Sequence, residues 1–172
     1  MAVDGIDRDA MVEALRAEAP DAGLAAKLNL FGQFVGSWAL EVTNYFPDGR
    51  SETVPGEWRF GWVLQGRAVQ DVYMARAGRH REYGTAVRIY DPSRDAWRIA
   101  WSGPMRGRQI LLTGRPRGAE IVMEGAENAV KLQWVFSHLR DTSFRWRALE
   151  SEDDGVTWKT VQEFRARRAH LK

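Results

Sequence analysis

The sequence predicts a mainly β fold, an antiparallel up-and-down barrel of about 8–10 strands behind an N-terminal helical extension. Three observations predict it. Apolar residues recur every three or four positions up to Gly36, and every second position from Ser37 onward. Turn signals interrupt the second region every 8 to 14 residues. They leave no gap long enough for a crossover helix, so neighbouring strands pair antiparallel. Each strand carries one aromatic face and one charged or small face, which gives the sheet a single buried side. A sheet this long closes on itself, because an open one would leave edge strands exposed.

Taken in order, Asp7 to Ala19 reads as a helix with Met11, Val12 and Leu15 as its apolar stripe, stopped by Pro20. A second helix begins near Leu24, carries Leu28, Phe31, Phe34 and Val35, and ends at Gly36. Strands follow at 37–46, 51–60, 62–75, 82–90, 95–102, 107–114, 119–124, 130–139, 142–150 and 156–167. Pro47-Asp48-Gly49, Gly61, Ala77-Gly78-Arg79, Asp91 to Arg94, Gly103-Pro104, Arg115 to Gly118, Gly125 to Asn128, Arg140-Asp141 and Asp153 to Gly155 punctuate them. Trp38, Leu40, Val42 and Phe46 share one parity, as do Val54, Trp58 and Phe60. So do Trp97, Ile99 and Trp101; Val130, Leu132, Trp134 and Phe136; and Phe144 and Trp146. These sets are the expected lining. The division is 1–36 helical extension, 37–168 barrel and 169–172 basic tail, and about ten strands make a bore wide enough for a cavity.

Composition narrows the function. The 8 Trp among 172 residues suit a wide interior or a ligand cavity better than a tight small core. The absence of Cys removes disulfides, thiolate metal sites and cysteine nucleophiles. Early acidic residues and no long apolar run argue against a signal peptide or a membrane span, so the expected location is cytoplasmic. A formal charge of +2 leaves any electrostatic steering local. Arg106, Arg108, Arg115 and Arg117 read as a solvated rim rather than a nucleic-acid surface, because the aromatics between strands point inward.

The stretch Ser151 to Trp158, SEDDGVTW, matches the Asp-box pattern of sialidases and other β-propellers. It occurs once, in a chain too short for a propeller, and it contains turn chemistry. Asp153 or Asp154 bonds backbone amides, Gly155 takes a positive φ, and the strand returns.

A wider likeness starts at FVGSWALEV. Gly36-Ser37-Trp38 resembles the Gly-x-Trp signature at the first strand of lipocalins and related calycins. With GEWRFGWVLQGRAVQDVY, VRIYDPSRDAWRIAWSG and FRWRALESEDDGVTWKTVQEFRARR, the chain over about 31–168 resembles the bacterial lipocalin-like family catalogued as domain of unknown function 1579. The resemblance implies a lipocalin-like barrel with a ligand cavity, in which the Trp closes the floor against an Arg of the last strand; Arg165 or Arg167 is the expected partner. It transfers no catalytic residues. The helical extension departs from a minimal lipocalin and is placed to cap the barrel.

Candidate chemistry is sparse. His138 continues the parity of Trp134 and Phe136, so it is expected at the cavity end as an acid, base or haem ligand. His80 and His170 lack ligand spacing to it, so no metal site is expected. Asn44, Gln70, Glu150 and Gln162 are polar residues of inward parity, which either bond each other or orient a ligand. Tyr45, Asp71 and Tyr73 have the opposite parity unless a bulge inverts them. The expected function is binding of a small apolar or aromatic molecule against Trp58, Trp97, Trp101, Trp134, Phe136, Phe144, Trp146, Asn44 and Glu150, without a cofactor, nucleic acid or membrane, in a monomer or homodimer. The alternative is a cofactor-independent cyclase, isomerase or dehydratase of natural-product intermediates, with His138, Gln70 and Gln162 as candidate catalytic groups. Haem binding through His138 is the third reading.

Overall fold

A computed structural model describes residues 9–77 and 80–169, the side chains of 77, 80 and 81 excepted. Ten strands, β2 (Gly36–Tyr45), β3 (Ser51–Val63), β4 (Ala68–Ala77), β5 (His80–Asp91), β6 (Ala96–Gly103), β7 (Arg108–Arg117), β8 (Glu120–Glu127), β9 (Val130–Arg140), β10 (Ser143–Ser151) and β11 (Lys159–Arg168), form one antiparallel sheet. Each pairs with its sequence neighbour, and β11 pairs with β2, so the barrel closes. It is a lipocalin-like up-and-down barrel, and closure leaves none of these ten strands as an edge.

Ahead of it stand α1 (Ala10–Leu15), the two-residue strand β1 (Arg16–Ala17) and α2 (Ala25–Gly32). The first helix is shorter than its periodicity suggests, because Arg16 turns extended and pairs with Val63 on β3. Its stripe is not buried either: Met11 and Val12 lie exposed. The second helix is a plug. Leu28 and Phe31 on it and Phe34 just beyond are fully buried inside the base of the barrel. Phe34 stacks on Phe136 at 4.6 Å, and Phe31 meets Trp97 edge-on at 4.9 Å. The deep half of the bore is therefore filled by rings rather than left open.

The strand ladder differs from the sequence reading at one hairpin. Gly61 is not a turn; β3 runs through it in extended conformation to Val63. The chain reverses at 64–67 instead, where Leu64, Gln65 and Gly66 take φ of 54°, 58° and 77°. Gly66 is required there, since a Cβ would lie 2.2 Å from the Ala19 carbonyl oxygen. This later turn sets Trp62 opposite Val69, Phe60 opposite Asp71 and Trp58 opposite Tyr73. Directly opposed residues share a face, so Asp71 and Tyr73 point inward and Gln70 points outward.

The floor is closed as the Gly-x-Trp likeness implies, with a different arginine. Trp38 is buried and donates its indole N–H to the Phe34 carbonyl at 2.7 Å. Arg168 covers its ring, with the guanidinium carbon 4.2 Å from the centroid. Arg168 also donates to the carbonyls of Gln33, Val35 and Asp141 at 2.8–3.1 Å. Arg165 and Arg167 lie exposed on the outer wall, because the inward parity of β11 is Gln162, Phe164, Ala166 and Arg168.

Candidate functional site

The barrel has a closed end at α2 and an open end toward which β2, β4, β6, β8 and β10 run. A run of four tryptophans connects its middle to that mouth. Trp58 meets Trp146 edge-on (5.9 Å, 84°), Trp146 meets Trp134 (5.5 Å, 68°) and Trp134 meets Trp101 (5.8 Å, 88°). Trp58 and Trp146 are buried, whereas Trp101 and Trp134 are half-buried. The ring of Trp101 lies in a recess left by two glycines: a Cβ on Gly103 would sit 2.2 Å from it, and one on Gly84 2.7 Å.

The indole N–H groups of Trp58 and Trp146 have no hydrogen-bond partner among the described residues, although both residues are about 95% buried. A buried donor without an acceptor costs about 1–3 kcal/mol. By contrast the Trp38 donor at the closed end is satisfied.

Tyr73 stacks on Phe164 (4.9 Å, 17°) beside Trp58, and its hydroxyl donates to Glu82 at 3.3 Å. Burial, reinforced by the Glu82 carboxylate, holds this phenol well above its usual range, so it remains a proton donor. Arg108 and Glu127, of inward parity at the rim, form an ion pair that holds the Glu127 carboxyl below its ordinary value. Gln162 donates to Asn44 at 2.7 Å. Glu150 is half-buried at the mouth and shares a concavity of about 330 Å³ with Glu152, Asp153, Thr157 and Lys159.

The last of these belong to the Asp-box hairpin. Asp153 accepts from the backbone N–H of Thr157 (2.8 Å) and the hydroxyls of Thr157 and Ser151. Gly155, at φ 92°, donates its N–H to the Ser151 hydroxyl. Every donor aims at the turn itself, which is the structural hairpin the sequence suggests.

Two candidates are not where their parity put them. His138 lies exposed on a bulge of β9 with φ 52°, its ring beside the Ser137 hydroxyl. The register slips between β9 and β10 there, so the alternation that continues through Trp134 and Phe136 breaks before it reaches His138. A haem seated in the bore receives no axial imidazole from this residue. Gln70 sits on the outer wall and donates to the Thr85 hydroxyl at 3.1 Å, separated by the sheet from Gln162. The side chains of His80 and His170 lie outside the described residues. Trp97, Phe136 and Phe144 belong to the α2 plug, Trp58 stacks on Phe136 where the plug ends, and Trp101, Trp134, Trp146, Asn44 and Glu150 lie toward the mouth.

One pair escaped the sequence reading. Asp71 and Arg88 form an ion pair inside the barrel, each 2% exposed. Asp71 also accepts the Ala86 N–H, and the guanidinium lies 5.2 Å from the Phe31 centroid and 5.4 Å from that of Phe60. The alternation of AVRIYD puts Val87 and Ile89 on the apolar parity, so Arg88 reads as solvent-facing. The only signal for it was the acid of β4 that the shifted turn brings onto the same face, opposite Ala86 and diagonal to Arg88.

No protein-family model matches the chain, and no curated protein does. Solved structures do. An S-type phycobiliprotein lyase, CPES, from Guillardia theta superposes with a TM-score of 0.62 at 9% identity, covering 84% of this chain and 93% of that one. Rv2717c from M. tuberculosis superposes with 0.60 at 15% identity, covering 85% and 99%. At these identities the likeness is one of fold. Among the described residues no helix is long and apolar enough to cross a membrane.

Proposed function

We propose that the chain binds a flat apolar or aromatic small molecule with hydrogen-bond acceptors in the mouth half of the barrel. The observation that carries this reading is the pair of unpartnered, buried indole donors on Trp58 and Trp146. Such donors are costly in an apolar core, and a ligand carbonyl or ether oxygen relieves that cost while its plane packs against the rings. Trp101 and Trp134 provide aromatic area between that pair and solvent. The resemblance to the domain-of-unknown-function 1579 type, resting on its motifs, supports the same reading.

The test is a titration followed by tryptophan emission, with flat aromatic ketones, polyketide-like compounds, haem and, because one barrel of this fold is named a phycobiliprotein lyase, a bilin. Saturable quenching that weakens about tenfold in Trp146→Phe supports the reading; no quenching by any compound, with the protein folded, overturns it.

A second reading, a cofactor-independent isomerase, cyclase or dehydratase, is favoured by Tyr73 and Glu82. A neutral phenol beside a carboxylate can donate to a carbonyl oxygen while the carboxylate takes a proton from carbon. Retained binding with lost turnover in Tyr73→Phe distinguishes it from simple carriage.

A further inference from the structure

The chain as a whole is cationic, with a formal charge of +2, but the mouth of its barrel is not. Among the described residues, the inward-facing ionisable groups of the strands at that end are four carboxylates, Glu52, Glu82, Glu127 and Glu150, and two cations, Arg108 and Lys159. Arg108 is committed to Glu127, and Lys159 stands across from Glu150 without forming an ion pair. In the loops, Glu152 and Asp153 add to the acidic side of the concavity that Glu150 lines, against Arg106 before β7. Neither Glu82 nor Glu150 has an ion-pair partner among the described residues; Glu82 accepts a hydrogen bond from the neutral Tyr73 hydroxyl.

These two carboxylates stand on opposite walls, five strands apart in a ring of ten. Each has a half-buried indole beside it. Glu82 is two residues from Gly84 on the inward line of β5, and Gly84 leaves the recess that the Trp101 ring fills. Glu150 follows Trp146 and Ala148 on the inward line of β10, where Trp134 lies directly opposite Ala148. The small Ala148 side chain stands between the carboxylate and Trp146, whose buried indole N–H lacks an acceptor among the described residues.

We infer that the ligand of the mouth half is an organic cation, a flat molecule that joins an ammonium group to its oxygen acceptor; this deepens the small-molecule reading of the site and rests on it. The oxygen accepts from Trp146, and the ammonium lies at the rim among Glu82, Glu150 and the indoles of Trp101 and Trp134. Indole is the aromatic side chain that attracts a cation most strongly, and a charge placed there also meets the carboxylates the barrel leaves unpaired. Two other occupants fit less well. A metal ion needs several converging carboxylates or imidazoles, and no such group occurs among the described residues. An anion would have to pass a mouth in which carboxylates outnumber cations.

The experiment is a tryptophan-emission titration with three anthraquinones that share one flat dicarbonyl and differ in charge. They are 2-(aminomethyl)anthraquinone, the neutral 2-(hydroxymethyl)anthraquinone and anthraquinone-2-carboxylate. Near neutral pH and at about 20 mM salt, the cation should bind about tenfold tighter than the neutral compound and the anion weakest. That order is the reverse of the one the overall charge of the chain dictates. Glu82→Gln with Glu150→Gln should erase the preference while the neutral compound keeps its affinity, which also shows that the variant is folded. Glu150→Gln alone should lower the preference about threefold, so the test stands where the double variant unfolds. Glu163→Gln, on the outer wall, should leave the order unchanged. Equal affinities, a preferred anion, or a preference that survives these changes at the mouth overturns the inference and leaves the pocket standing. Failure of the cation to bind overturns it too; a neutral flat compound that still quenches then keeps the pocket reading, and no quenching by any compound removes both.

Discussion

The two ends of this barrel are built from the same residue types to opposite effect. At the closed end, Phe31 and Phe34 from α2 interlock with Trp97, Phe136 and Phe144, the Trp38 donor is bonded, and Arg168 ties three carbonyls together. At the open end the tryptophans touch edge-on, two of them are half-buried, and two buried donors lack acceptors. Satisfied, interdigitated rings make a core; rings with unmet donors beside solvent make a surface ready for a ligand. The difference shows that an aromatic-rich interior is not by itself a cavity, and that its two parts are separated by how the rings interlock and by how near they lie to solvent; one buried N–H of Arg88 beside the plug also lacks an acceptor among the described residues.

The sharpest way to break the closed half is to leave a buried charge alone. Asp71→Ala should destabilise the fold by about 3–5 kcal/mol, read by denaturant unfolding, whereas the double change Asp71→Leu with Arg88→Met should recover most of that loss. Phe34→Ala, which empties the plug, should lower stability by a similar amount, about 3–5 kcal/mol. Equal stability in either single variant would mean that the closed half is not the packed core. In the mouth half a smaller truncation should cost less. Trp146→Phe removes an unpaired donor and only part of the ring system, so it should cost less than the roughly 3–5 kcal/mol of the Phe34 truncation while weakening ligand binding. A large stability loss there would erase the contrast between the ends. His138→Ala should leave affinity within about twofold, since the residue lies outside the bore.

The smallest effect is a titration at the rim. Hydrogen bonds from Thr157, side chain and backbone, and from Ser151 hold Asp153 at about 2, below the ordinary 3.8. A depressed carboxyl stabilises the folded hairpin above its unfolded value and ceases to do so as pH falls through the folded one. The Thr157 amide resonance should therefore shift with a midpoint near 2. A midpoint near 3.8 would show that the hairpin does not hold the carboxylate.

The Asp-box hairpin was legible because its donors and acceptors lie within seven residues. The aromatic lining of β2, β3, β6, β9 and β10 was legible too, since alternation fixes a face once the strand is placed. The β3–β4 turn was not. Gly61 is a plausible reversal in isolation, and the true one places positive φ on Leu64 and Gln65, which local preference disfavours. A three-residue difference in that turn reversed the facing of all of β4, moving Gln70 out and Asp71 and Tyr73 in.

By itself the sequence determined a closed, mainly β barrel with one aromatic lining, a helical extension and a tight Asp-box turn, because period and turn chemistry are local. Only the tertiary structure decided that α2 fills one end, that Arg168 closes the floor, that Arg88 is buried with Asp71, and that His138 faces solvent. The plug is a packing of helix against barrel, and the facings of Arg88 and His138 follow from a turn and a bulge that shift the register, which a strand's own alternation does not reveal.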